Sequence, residues 1–274
     1  MCPECAHLFI EQLLRTLVID ASDAALEFAQ PLDDGVPHVA TRGARVHAAI
    51  LPEAPYVGGV RVAWVTFDCY GTLIDWERGI TDALLPLLHG PLDRGELARR
   101  YIATEAKVEG GRYRSYREVL DDAGRTLLAS LGVNAPSPLP ASLASWRAFA
   151  EVPAALAELR RRGRKIAILS NVDRDLIATS IPKLRLEPDL LVTAEDCRSY
   201  KPAPGHWRSF SERSGAGPDV TVHVGASQYH DMRPAAALGY RTIFVDRHGE
   251  LLQTSPSRVI RDLTTLPDVI DELE

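Results

Sequence analysis

The amino-acid sequence predicts an α/β fold: a parallel sheet with helices on both faces, into which a helical block is inserted after the first strand. Three observations predict it. Short apolar, β-branched runs recur at VAWVTF (62–67), KIAIL (165–169), VTVHV (220–224) and RTIFV (241–245). Runs of this kind, closed by turn residues and separated by helical spacing, are the pattern of buried parallel strands. Between the first run and the second lie roughly 70 residues of helical character, far beyond an ordinary connection. Polar residues follow the first two runs at once and the third a few residues on, at the carboxyl ends where open α/β sheets hold their ligands.

Taken in order, residues 1–60 read as an N-terminal extension with loose structure. Residues 11–28 have the spacing of one amphipathic helix, and Pro31, Pro37, Pro52 and Pro55 follow, with Gly35, Gly43, Gly58 and Gly59. Little periodicity remains there and no chemistry is visible. Residues 61–67 are the first strand. Helical spacing follows at 77–89, stopped by Pro91, and then over 92–131 in two pieces divided near Gly110 and Gly111. Residues 132–140 form a loop and 142–149 a short helix. From 153 a regular alternation begins: helix 153–162, strand 165–169, helix 173–180, strand 190–192, helix 204–214, strand 220–224, helix 231–238. Residues 241–245 are expected to be the last strand. A closing helix spans 263–273, with Thr264 or Thr265 as its N-cap. The domains are therefore a core of 61–78 and 151–274, with 79–150 as a helical cap over the strand ends.

Composition narrows the function classes. The chain has 274 residues, 46% hydrophobic and 25% charged, with a net charge of -6. That balance favours neither nucleic acid nor an anionic membrane. The run Arg160, Arg161, Arg162, Arg164 and Lys165 reads as a solvated helix end. No stretch reaches membrane-spanning length, since 13–19 is short and contains Arg15, and no secretory signal is visible. Four cysteines, Cys2, Cys5, Cys69 and Cys197, make no disulfide framework, and a cytoplasmic location is expected. Cys2 and Cys5 form a lone C-x-x-C with only His7 nearby, too few ligands for zinc.

The strand ends carry the chemistry. The first ends in Asp68, with Thr72 following; the second in Ser170 and Asn171; a later loop supplies Lys201; the fourth leads through Ser227 to Asp231. An acid, a hydroxyl, an amine and a second acid at successive strand exits allow nucleophilic chemistry. A carboxylate attacks an electrophile and a covalent intermediate forms. Ser170, Asn171 and Lys201 could hold an anionic group, and Lys201 would favour ionised Asp68. Each residue also has a plainer reading. Asp68 could cap a turn, Ser170 the next helix, and Lys201 could be a solvated loop lysine. Asp231 could be an acid at a helix N-terminus. Tyr70 and Trp207 could equally line the substrate or be packing aromatics, and His223 and His230 read as structural.

The motifs FDCYGT (67–72), LSN (169–171), SYKP (199–202) and VGASQYHD (224–231) resemble the four ordered motifs of the haloacid dehalogenase (HAD) superfamily. Within it DCYGTLIDWE (68–77), RYRSYREVL (112–120) and AEDCRSYKPAPGHW (194–207) are similar to the type II, L-2-haloacid dehalogenase-like branch. The resemblance implies a Rossmann-like core with a cap, and Asp68 as nucleophile positioned by Thr72. It implies Lys201 as the third-motif lysine, Asp231 as the last fourth-motif acid, and Ser170 and Asn171 as substrate binders. It implies displacement of halide from C2 of a small (S)-2-haloacid and hydrolysis of the aspartyl ester, with no cofactor. A homodimer is suggested by family analogy only.

Departures from the pattern bear on the substrate. HAD phosphatases usually carry a second aspartate two residues after the nucleophile; here Tyr70 stands there. Phosphatases also use the first acid of the fourth motif for Mg²⁺; here that place is Ala226, leaving Asp68 and Asp231 as the carboxylates for such an ion. The dehalogenase pattern is incomplete too. Its fourth-motif serine falls on Ala226, its asparagine on Gln228 and its third-motif tyrosine on Trp207. Arg99 and Arg100 are the nearest by spacing to its halide-binding cap arginine. The alternatives are a phosphatase for a small phosphorylated metabolite and a catalytically inactive binding protein.

Overall fold

The computed structural model describes residues 61–109 and 113–274. The readings placed on residues 1–60, including the Cys2–Cys5 pair, lie outside the described residues. Six parallel strands form one sheet: β1 (Trp64–Phe67), β2 (Lys165–Ser170), β3 (Leu190–Thr193), β4 (Thr221–Gly225), β5 (Arg241–Val245) and β6 (Arg258–Ile260). Their spatial order is β3-β2-β1-β4-β5-β6. The strand order reverses beside β1, so its carboxyl end opens on the switch-point crevice. Register aligns the neighbouring tips, because Phe67 lies opposite both Ile168 and Val224. Asp68, one residue on, therefore emerges between the tips of β2 and β4.

The sheet is buried on both faces, which explains why its strands read as continuous apolar runs. On one face Val65, Phe67, Ile166 and Ile168 pack in a cluster that runs on into the helical block through Leu84, Leu97, Tyr101, Leu120 and Leu127. On the other, Trp64, Ala167 and Leu169 pack against Trp207 and Phe210. The helical block thus shares a core with the sheet rather than forming one of its own.

That block contains α1 (Trp76–Leu84), α2 (Arg94–Glu109), α3 (Tyr116–Ser130) and the short α4 (Leu139–Ser142). Asp75 caps α1 by accepting from Arg78 N, and Ser115 and Glu118 form a reciprocal capping box on α3. The remaining helices are α5 (Val152–Arg161), α6 (Arg174–Ala178), α7 (Ala194–Cys197), α8 (Gly205–Ser214), α9 (Arg233–Ala237) and α10 (Leu266–Asp271).

Several expected boundaries move, each for a local reason. The helix expected over 77–89 ends at Leu84, and Pro86 turns the chain into a 3₁₀ segment, Leu85–Leu87. The helix expected over 142–149 ends early. Residues 146–149 instead run along the loop after β1, with Asp75 N donating to Arg147 O and Phe149 N to Leu73 O. Residues 241–245 are not the last strand, since β6 pairs beside them; it is only three residues long and mostly exposed. The closing helix is shorter than expected: a 3₁₀ turn, Leu263–Thr265, precedes it and is capped by Asp262, which accepts from Thr264 N, while the helix itself has Thr265 at its N-cap position without a side-chain hydrogen bond.

Candidate active site

Asp68 follows a strand paired on both sides, and its own N–H donates to Val224 O at 3.0 Å. The chain then turns sharply at Gly71, whose φ of +98° suits glycine and strains other residues. That turn brings Thr72 back over the strand tip. Thr72 Oγ1 donates to Asp68 Oδ2 at 2.9 Å and accepts from Ala226 N at 2.9 Å. One hydroxyl therefore ties the first loop, the carboxylate and the fourth strand exit together.

Lys201 reaches the same carboxylate from the loop after α7. Its Nζ donates to Asp68 Oδ1 at 2.8 Å and to Asp231 Oδ1 at 2.6 Å. The lysine side chain is 1% exposed, as is that of Asp231, while Asp68 keeps 13%. So of the two carboxylates Asp68 is the one a ligand can reach. Asp231 sits in a single π-helical turn, Gln228–Met232, that leads into α9. Such turns are recurrent at functional sites because they re-aim a side chain. Gly225 makes room for it, since a Cβ there would lie 2.6 Å from that of Asp231.

Burial sets the electrostatics. It pushes the Asp68 carboxyl above the ordinary aspartate range, with Lys201 pulling it down and Asp231 pushing it up. For Asp231 burial acts upward as well, but the Lys201 ammonium, then His223, outweigh it and hold the group well below that range. Burial would lower Lys201; the two carboxylates overcome this and keep it charged. His223 Nε2 lies 3.5 Å from Asp231 Oδ1, a long contact, and its Nδ1 is 2.9 Å from Thr66 Oγ1. Burial lowers its pKa and favours the neutral ring.

The other candidates divide. Ser170 Oγ is buried and has no hydrogen-bond partner in the protein, while its carbonyl accepts from His206 Nε2 at 3.1 Å. The Asn171 amide binds the Lys201 main chain at both ends: Oδ1 accepts from Lys201 N at 2.6 Å and Nδ2 donates to Lys201 O at 3.1 Å. Tyr70 pairs its hydroxyl with Ser180 Oγ at 3.0 Å and packs edge-on against Trp146. Trp207, expected among the substrate contacts, is 1% exposed in the core behind the sheet, edge-on to His223. Arg99 is not brought to the cluster; it points outward and pairs with Glu96 at 2.8 Å, as Arg100 does at 2.7 Å. Gln228 ties the π turn to the following strap, donating to Leu251 O and accepting from Gln253 N.

Sequence reasoning missed four residues here. Asp173, just past the LSN motif, accepts from Tyr116 N at 3.0 Å and Arg117 N at 2.8 Å, so a core acid caps helix α3. Glu105 accepts from Tyr101 Oη at 3.0 Å and Tyr116 Oη at 2.6 Å. Burial raises its carboxyl. Glu109, one turn on, is pushed to about 7 by burial and then by Glu105, with Lys201 opposing. The signal for this wall was present in the sequence: Tyr101, Glu105 and Glu109 recur at a spacing of four on one helix face. The fourth missed residue, Arg247, contacts the first loop.

The residues present do not suit a divalent cation. Lys201 Nζ already stands between the carboxylates that would bind it, and Ala226 adds no side-chain ligand. Among the described residues no group of three or more His, Cys, Asp or Glu side chains could hold a metal ion. Nor is any helix among them long and apolar enough to cross a membrane.

Comparison with known proteins agrees with this geometry. The family described as haloacid dehalogenase-like hydrolase matches residues 62–239. The (S)-2-haloacid dehalogenase of Pseudomonas sp. (strain YL) is 25% identical over 218 residues, covering 77% of this chain and 94% of that protein. The L-2-haloacid dehalogenase from Xanthobacter autotrophicus superposes with a TM-score of 0.67 at 21% identity, over 78% of this chain and 100% of that one. A second structure of it, with chloropropionic acid covalently bound, gives 0.67 at 20% identity over the same shares, 78% and 100%. With the family match spanning both the first strand and the fourth-motif turn, the chain belongs to the haloacid dehalogenase-like hydrolases.

Proposed function

We propose that this hydrolase acts through an ester on Asp68 and that its reaction is hydrolytic dehalogenation of a small (S)-2-haloacid. The observation that carries the reading is the buried Lys201 bridge between Asp68 and Asp231, with Tyr70 where a phosphatase would want a second acid. Asp68 attacks C2, the C2–halogen bond breaks, and halide leaves with its electron pair. Water then adds to the ester carbonyl, the carbonyl–oxygen bond breaks, and the 2-hydroxyacid leaves with a proton released. Thr72 and Lys201 fix the two Asp68 oxygens throughout. Asp231 is too weak a base to take a proton readily, and its role is to hold Lys201 against Asp68. The unpartnered Ser170 Oγ is available to the substrate carboxylate. No cofactor enters the sequence of steps.

The test is halide release from (S)-2-chloropropionate, with mass spectrometry of Asp68 peptides after a turnover in H₂¹⁸O. Label in Asp68, absent in Asp68→Asn, is the expected result. Mg²⁺-dependent phosphate release from small esters without halide release would overturn it.

A further inference from the structure

The strap after β5 sends Arg247 back across the molecule to the main chain of the first loop. Arg247 Nε donates to Gly71 O at 3.2 Å, and its terminal nitrogen donates both to Thr72 O and to Glu151 Oε1 at 2.8 Å. The guanidinium carbon, Cζ, lies 3.5 Å from the centre of the Phe149 ring. The side chain is 11% exposed, so these contacts are made largely out of water. A lysine could not reproduce them, because a single ammonium lacks the planar fork that spans two carbonyls and stacks on a ring. The residue held by that fork, Thr72, is the one whose hydroxyl orients Asp68 Oδ2.

We propose that Arg247 is a positioning residue for the nucleophile, fixing Asp68 through the Gly71–Thr72 main chain. This rests on Asp68 being the nucleophile. Arg247 does not reach the reacting atoms, so its effect falls on the rate of attack rather than on substrate affinity. A misplacement of about 1 Å costs on the order of a hundredfold in rate. Arg247 also lines an open cleft of about 400 Å³ with Gly71, Trp76 and Glu151, which gives free guanidinium a route to the vacated place.

Three variants test this: Arg247→Met, Arg247→Lys, and Glu151→Gln, which removes the ion pair but leaves both carbonyl contacts. The expected result is a kcat about tenfold to a hundredfold lower in both Arg247 variants with KM within about threefold. Millimolar guanidinium should restore part of the rate in Arg247→Met, and Glu151→Gln should stay near wild type. A purely structural ion pair would instead make Glu151→Gln and Arg247→Met fall together in stability with kcat per folded molecule unchanged; that outcome overturns the proposal. Should Arg247→Met not fold, Arg247→Lys carries the same kcat and KM comparison, and an unchanged kcat there overturns it. Hydrogen exchange separates this from failure of the dehalogenase reading, since it needs no substrate. In Arg247→Lys, exchange should quicken at Leu73, Ile74 and Ala226 and not across the sheet, and uniform exchange overturns the proposal. Absence of halide release by the wild type sinks only the reading.

Discussion

Asn171 holds Lys201 by its main chain, through hydrogen bonds of 2.6 Å to Lys201 N and 3.1 Å from Asn171 Nδ2 to Lys201 O. The amide at the tip of β2 thus sets where the lysine stem starts, and the stem places Nζ between Asp68 and Asp231. Removing the amide in Asn171→Ala frees the loop without touching a charge. The expected effect is a kcat lower by about tenfold or more with little change in KM. An Asn171 bound directly to substrate would give the reverse, a raised KM, and steady-state kinetics of halide release distinguishes the two.

Lys201→Met removes the ammonium from between two buried carboxylates. Breaking such a pair costs on the order of 3–5 kcal/mol near neutral pH. The sign of its pH dependence follows from the burial of Asp68 and Asp231. Without Lys201, both carboxyls face each other out of water, and the folded variant retains a proton that the unfolded chain releases. A group with a raised folded pKa contributes stability that is fully present below its unfolded pKa and lost as pH rises. The variant should therefore melt closest to wild type near pH 4 and fall progressively behind toward pH 8. Thermal melts across that range check this, and halide release should be abolished at every pH.

The legible part of the molecule is the part built from short-range pattern. The first strand, the Gly71 turn and the α/β alternation are local signals of burial and turn chemistry, and they appear where the sequence places them. Asp68, Thr72, Lys201 and Asp231 read as one cluster because Asp68 stands at a strand tip and the other three in the connections that follow strands, which a parallel sheet gathers at one edge. What was not legible depends on packing across long separations. Trp207 looks like a substrate contact in its motif, but its side chain turns to the face of the sheet away from the helical block. Asn171 reads as a substrate ligand, and its tie to the main chain of a loop 30 residues on carries no local signal. Arg247 reaches a loop 175 residues earlier and carries no local signal of doing so. β6 was hidden by its three-residue length, too short for periodicity to show.

Trp207 offers a direct check of this distinction. It is one of the largest fully buried side chains, beside Phe210 and His223. Trp207→Ala should cost about 3–5 kcal/mol of stability, the usual range for emptying an aromatic site in a core. KM for the haloacid should stay close to wild type in the fraction that remains folded. Denaturant unfolding paired with steady-state kinetics reads both quantities, and a raised KM at unchanged stability would return Trp207 to the substrate wall.

Glu109 gives the sharpest pH dependence. Its carboxyl is raised from 4.5 to about 7, first by burial and then by Glu105, against the pull of Lys201. Because the folded pKa is the higher one, the associated stability is fully present below about 4.5 and lost as pH rises through 7. The full difference amounts to roughly 3 kcal/mol, reduced because the carboxyl is partly wet. Glu109→Gln removes the titration, so the variant should gain stability over wild type above pH 7 and match it near pH 4.5. The same charge acts on the reaction. An ionised Glu109 opposes an anionic substrate, so KM for a haloacid should rise above pH 7 in the wild type. In Glu109→Gln that rise should vanish while kcat is little changed, because the charge acts on the approach of an anion and touches no reacting atom. A pH–KM profile identical in both proteins would place Glu109 outside the substrate's field.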